Sequence, residues 1–247
     1  MKVVYEATYA TRGKTGIPRD ARNLITIFNN LNLDSLTVIF FLKDTILGLF
    51  RKKNVEYKRS LLIGSAFRPD VSSRSLIPTQ LRALLLGRES MRFNHNVRMI
   101  ELSASEKQSV LESLEISKIG ANSETIKLAL INYRSRLARP RLLTTFKLKS
   151  VNADIFVQQQ VDPIKVDSRV AHVLRLHDIL PITHPQFFDS LSVRNFNKSF
   201  HKMIKSKPFI VMDSPSCAIE LETKFGLKGK VFVVPPVVTF STKPIMN

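Results

Sequence analysis

The chain has no tryptophan and a single cysteine, Cys217, among 247 residues. One cysteine cannot close an intrachain disulfide, and a zinc site built on several thiolates is excluded with it. A reducing compartment is the simplest fit, and a cytoplasmic location is expected. No apolar run approaches the ~20 residues that cross a bilayer; the longest, LTVIFFL at 36–42, already contains Thr37. The opening MKVVYEATYA alternates and places Glu6 where a signal peptide needs an unbroken apolar core. Secretion by that route is not expected. No H-E-x-x-H helix, G-x-S-x-G elbow, dinucleotide G-x-G-x-x-G or phosphate-loop G-x-x-x-x-G-K-[ST] occurs, so neither a metal nor a bound cofactor is expected. Acidic residues are the last scarcity: 20 Asp and Glu stand against 38 Lys and Arg, leaving a formal charge of +18.

That charge predicts attraction to polyanions, whether nucleic acid, anionic lipid or phosphate-bearing substrates. It is concentrated between 51 and 100, where Arg51, Lys52, Lys53, Lys58, Arg59, Arg68, Arg74, Arg82, Arg88, Arg92 and Arg98 face only Glu56, Asp70 and Glu89. Hydrophobic residues at 44% and charged residues at 23% are those of a globular protein and not of a disordered one.

Residues 2–9 predict a strand, followed by the loop TRGKTG and a helix whose Leu24, Ile27, Phe28 and Leu31 recur at helical spacing. Pro18 suits the first turn of that helix. LTVIFFL predicts a central strand buried on both faces. Helical patterns follow in PTQLRALLLGRESM, SEKQSVLESLEI and SETIKLALINYRSRLA, and Ser105 with Gln108 has capping-box spacing. From 154 the chain alternates: strand DIFV, a polar loop from Gln158 to Ser168, strand AHVLRL, helix VRNFNKSFHKMI, strand PFIVM, helix SPSCAIELETKFGL and strand KVFVV. Strands alternating with helices predict a Rossmann-like, doubly wound α/β fold, with a mostly parallel sheet and helices on both faces. Residues 1–238 form one domain in this reading, and 239–247, after Pro235-Pro236, the start of an interdomain linker or tail.

Ligands of such sheets sit beyond the carboxyl ends of the strands. Two stretches fall there. In RGKTGIPR, Gly16 permits close backbone approach while Arg12, Lys14 and Arg19 supply charge; a plain βα turn with solvated cations fits the same stretch. In LHDILPITHP, His177 and Asp178 follow a strand directly, which favours a functional over a packing role for His177. His172 and His201 are assigned to packing or surface, His184 before Pro185 to shaping a turn, and Ser214 to capping a helix.

TGIPR (15–19) with Asn23 and Leu24, LHDILP (176–181) with His184, Pro185 and Phe188, VMDSPS (211–216) leading to Phe225 and Gly226, and VFVVPP (231–236) occur in an order that resembles the N-terminal half of a GT-B glycosyltransferase of family 4. The resemblance covers the first strand and about 154–238. It implies a metal-independent, retaining transfer of a hexose from a nucleotide-sugar donor to a glycan or lipid-linked acceptor, in surface-polysaccharide or lipopolysaccharide assembly. The acceptor would be held by this half. It implies His177 at the reaction centre and Gly16, Ile17, Arg19 and Asp178 at the substrate, with Asp178 alternatively orienting the turn. The family's nucleotide-binding domain, with its paired glutamates and basic pair, has no counterpart in the sequence, so a further domain or partner chain is expected and little activity without it. Such domains dock on anionic membranes at the inner face of the cell membrane. PTQLRALLLGRESMRF is the docking candidate; a core-facing helix with a solvated polar face is the other reading of that stretch. The competing function is a non-catalytic basic module that binds a polyanion or pairs with a catalytic chain; nucleic acid is disfavoured by the absence of basic-aromatic interleaving.

Overall fold

A computed structural model of the chain describes residues 1–11, 16–43, 99–114, 116, 126–133, 146–147, 152–159, 161, 164–227 and 229–236. The strands are β1 (Lys2–Glu6), β2 (Ser35–Lys43), β3 (Met99–Glu101), β4 (Ile126–Tyr133), β5 (Phe146–Lys147), β6 (Ile155–Gln158), β7 (Ile164–Lys165), β8 (Ala171–Leu176), β9 (Phe209–Met212) and β10 (Val231–Val233). The α-helices are α1 (Ile17–Asn30), α2 (Ala104–Ser113), α3 (Leu180–Thr183), α4 (Ser190–Ile204) and α5 (Pro215–Phe225).

Eight strands form one sheet in the order β10-β9-β8-β6-β1-β2-β4-β3, and every pairing is parallel except β3 with β4. The chain moves outward from β1 through β2 to β4, then returns to the other side of β1 and proceeds through β6, β8, β9 and β10. The fold is therefore Rossmann-like and doubly wound, with its topological switch point between β1 and β6.

Alternation along the strands sorts the core. Val3, Tyr5, Leu36, Val38, Val157 and Ile126 share one face and pack with Ala21 and Ile25 of α1 and Val110 and Leu111 of α2. Tyr5 donates to the Ala21 carbonyl (3.2 Å), and burial pushes its phenol well above the ordinary pKa. On the opposite face, Leu174, Leu176, Ile210 and Met212 pack with Phe200 and Met203 of α4 and Ala218 and Leu221 of α5. Val4, Ile39 and Phe156 on that same face are covered by Ile164 of β7. Helices thus stand on both faces.

Several local expectations are corrected. The segment predicted as a helix from Ser123 contains β4: Ile126 and Leu128 are buried with Lys127 exposed between them, a period of two that pairing with β2 and β3 selects. The capping box of α2 is Ser103 with Glu106, not Ser105 with Gln108; each side chain bonds the other's backbone N–H. The polar loop after β6 contains β7. The buried stripe of α1 is Asp20, Ala21, Ile25 and Asn29, rotated from the predicted one, and Leu31 is exposed. The linker expected from 239 and the helix PTQLRALLLGRESM lie outside the described residues.

Candidate functional site at the carboxyl rim

Four strands with apolar interiors either close on a polar residue or are followed at once by one. Glu6 ends β1, Gln159 follows Gln158 of β6, His177 follows β8 and Asp213 follows β9. In a parallel sheet these ends share one rim. Glu6 is buried and bridges the switch point: one carboxylate oxygen accepts from Thr8 N (2.9 Å) and the other from Gln159 N (3.2 Å).

The register Leu176↔Met212 sets the next residues, His177 and Asp213, side by side. His177 Nδ1 donates to Asp213 Oδ2 at 2.6 Å. Asp213 Oδ1 also stands 3.1 Å from Arg175 Nη2, an ion pair without hydrogen-bond alignment. Arg175 in turn grips Asp20 in the first turn of α1 through Nε (2.7 Å) and Nη2 (3.2 Å), and donates to the Val234 carbonyl (3.3 Å). Asp20 and Arg175 side chains are each 4% exposed. The result is a continuous chain of contacts from α1 through β8 to the residues after β9 and β10.

Its chemical consequence falls on His177. A carboxylate on Nδ1 fixes the neutral ring as the Nδ1–H tautomer and turns the Nε2 lone pair outward from that bond. Among the described residues Nε2 is buried without a hydrogen-bond partner, and so are both side-chain amide atoms of Gln159. Leaving such groups unsatisfied costs on the order of 1–3 kcal/mol each, which is sustained where a polar ligand supplies the missing bonds. Buried Asn29, near the end of α1, shares the condition, so the rim holds the concentration of such groups rather than all of them. Together Nε2 and the Gln159 amide can accept from hydroxyls and donate to an oxygen.

Gly16 precedes α1 with φ 57 and ψ −130, a conformation that favours glycine, and its carbonyl accepts from Asp20 N at 3.0 Å. It stands on the same rim as His177, connected through Asp20, Arg175 and Asp213. Ile17 opens the helix, and Arg19 is exposed. Asp178 Oδ1 accepts from Leu180 N at 3.0 Å at the start of α3. Arg12, Gly13, Lys14 and Thr15 lie outside the described residues. His172 packs on Phe156 and bonds Gln158 Oε1 at 2.9 Å. His184 ends α3 and stacks on Phe187, and Ser214 caps α5 by accepting from Cys217 N.

Sequence reading missed Asp20, Gln159, Arg175 and Asp213 as site residues. A signal existed for three of them: each is a polar interruption at the carboxyl end of an apolar run. Among the described residues no group of three or more His, Cys, Asp or Glu side chains is placed to hold a metal ion, and no helix is long and apolar enough to cross a membrane. A groove of ≈ 560 Å³ between Pro185, Phe188 and α4 is separate from His177 and Gly16. No protein-family model, curated protein or solved structure matches the chain.

Proposed function

We propose that the carboxyl rim binds a hydroxyl-rich substrate, and that this domain is the acceptor-side half of a retaining hexosyltransferase using a nucleotide-sugar donor. The observation that carries the reading is His177, held by Asp213 with Nε2 buried and unpartnered at the rim of a doubly wound sheet. Such a nitrogen accepts from a sugar hydroxyl in one fixed direction, and the Gln159 amide adds a donor and an acceptor nearby on the rim. Gly16 leaves the backbone open at the same edge, where a helix N-terminus favours the donor's phosphates. The nucleotide in this reading is held by a second domain facing the rim.

The test follows the His177 ring resonances by NMR while nucleotide-hexoses and oligosaccharides are titrated in. The ring signals are expected to shift, and His177→Ala to weaken saccharide binding by at least about tenfold, the loss typical of a hydrogen bond to a buried group. Asp213→Asn should weaken it as well, because an amide can donate to Nδ1 and reverse the tautomer. Both variants should keep the wild-type near-ultraviolet circular dichroism. Resonances indifferent to every saccharide overturn the reading. The +18 charge supports the competing module reading, under which nucleic acid would bind and saccharides would not.

A further inference from the structure

Gln159 is a long polar side chain on a residue only 2% exposed, and among the described residues neither its amide oxygen nor its amide nitrogen has a hydrogen-bond partner. Its neighbour Gln158 shows the ordinary arrangement. Equally buried, it bonds His172 Nε2 through Oε1 at 2.9 Å. Two unsatisfied atoms on one buried carboxamide are a standing cost to the fold. Glutamine gains nothing there over leucine or methionine unless a ligand completes both bonds.

The position of Gln159 is well fixed. Its backbone N–H donates to Glu6 Oε2 (3.2 Å), which ties it to the end of β1. The register Gln158↔Leu174 sets the next residues, Gln159 and Arg175, side by side at the ends of β6 and β8. Alternation from Val157, which packs in the α1 core, sends Gln159 to the α1 face, where Arg175 grips Asp20. His177 is joined to that face through Asp213 and Arg175, and its Nε2 is likewise buried without a partner among the described residues.

We propose that Gln159 determines which saccharide the rim accepts, by reading a pair of adjacent free hydroxyls. A carboxamide sets one acceptor and one donor side by side. A vicinal diol matches both at once: one hydroxyl donates to Oε1, and the oxygen of its neighbour accepts from Nε2. A carboxylate or phosphate offers acceptors only and would set a negative oxygen against Oε1, whereas an ammonium offers donors only. The edge of a uracil ring carries a donor and an acceptor too, but it has no hydroxyl for His177 Nε2, which a hexose ring supplies. This assignment rests on the saccharide reading of the rim and adds a requirement to it: the bound hexose keeps two neighbouring hydroxyls unsubstituted.

The experiment titrates methyl glucopyranoside, mannopyranoside and galactopyranoside, each with its monodeoxy analogues, into the full chain and follows the His177 ring resonances. For a hexoside that binds, removal of either of two adjacent hydroxyls is expected to weaken binding by at least about tenfold. In Gln159→Met and Gln159→Leu that discrimination should vanish, while the parent hexoside, weakened to a similar extent, still shifts the His177 signals. The urea midpoint of at least one variant should equal or exceed that of the wild type, because an unsatisfied amide gives way to an apolar group. Lower midpoints in both mark the amide as part of the fold and overturn the assignment. So does a deoxy profile unchanged by the substitutions, a loss confined to a single hydroxyl, or displacement of the hexoside by uracil. Those results leave saccharide binding at His177 standing, whereas His177 resonances indifferent to every hexoside remove the saccharide reading and the role of Gln159 together.

Discussion

Arg175 interrupts an otherwise apolar strand end, and its burial dictates the identity of its neighbours. A guanidinium with 4% of its side chain exposed requires counter-charge in contact. Asp20 and Asp213 provide it, and Asp213 thereby becomes a fixed partner for His177. The second buried histidine shows the contrast. His172 has no carboxylate on it, and desolvation pulls its pKa down from 6.5 to about 4. Its neutral form is favoured in the folded state, so its contribution to stability is complete above pH 6.5 and is lost as the pH falls toward about 4. Over that window the loss approaches about 3 kcal/mol. His172→Gln retains a donor for Gln158 and cannot titrate. Urea midpoints measured from pH 7 to pH 4 should therefore fall more steeply for the wild type than for the variant; parallel profiles would show that His172 is not the group responsible. At this scale the site was only partly legible. His177 could be placed because it abuts a strand, whereas its partner lies 36 residues away and Asp20 lies 155 from Arg175. No spacing rule connects residues brought together by sheet order.

Elements were legible where one signal dominated. β1, β6, β8 and β9 are short apolar runs bounded by polar residues, and α4 and α5 begin at Asp189 and Ser214, whose side chains accept from first-turn N–H groups. The region containing β4 was not legible, because IKLALINY satisfies both periods. Helical propensity in its leucines and alanine competes with β-branched isoleucines, and pairing with β2 on one side and β3 on the other decides the outcome. Helix ends carry their own determinants. α5 stops at Gly226, in the left-handed region at φ 64, where its N–H donates to the Glu222 carbonyl. An added Cβ there meets no atom within 4 Å, so Gly226→Ala isolates backbone strain from packing. A loss of about 1 kcal/mol is expected in chemical denaturation, and a wild-type midpoint would mean that α5 can end in another conformation at no cost. Gly16, equally uncrowded at φ 57 but with ψ −130, lies outside the left-handed well open to L residues and would incur a larger strain on substitution. Its place on the rim adds a binding loss that Gly226→Ala should not share.

On the scale of the molecule, the ion chain does what neither apolar core does by itself. One core packs α1 and α2 on one face of the sheet, and the other packs α4 and α5 on the opposite face. Arg175 joins α1, from the first half of the chain, to the ends of β9 and β10 from the second. Two electrostatic effects of opposite character therefore act on stability. A formal charge of +18 repels itself across the surface, and dissolved salt screens that repulsion over a Debye length of roughly 10 Å at 0.1 M. The Asp20–Arg175 pair, 4% exposed on each side, is out of reach of counter-ions. Arg175→Met keeps an unbranched apolar stem but leaves the Asp20 carboxylate buried without its cation, a loss of about 3–5 kcal/mol. Sodium chloride should raise the unfolding free energy of wild type and variant alike, with the gap between them unchanged. Asp20→Leu combined with Arg175→Met should recover much of that loss, because no orphaned charge is left in the core. A gap that closes as salt is added would mean that solvent reaches the pair, and the rigid frame argued for His177 would then have no buried anchor.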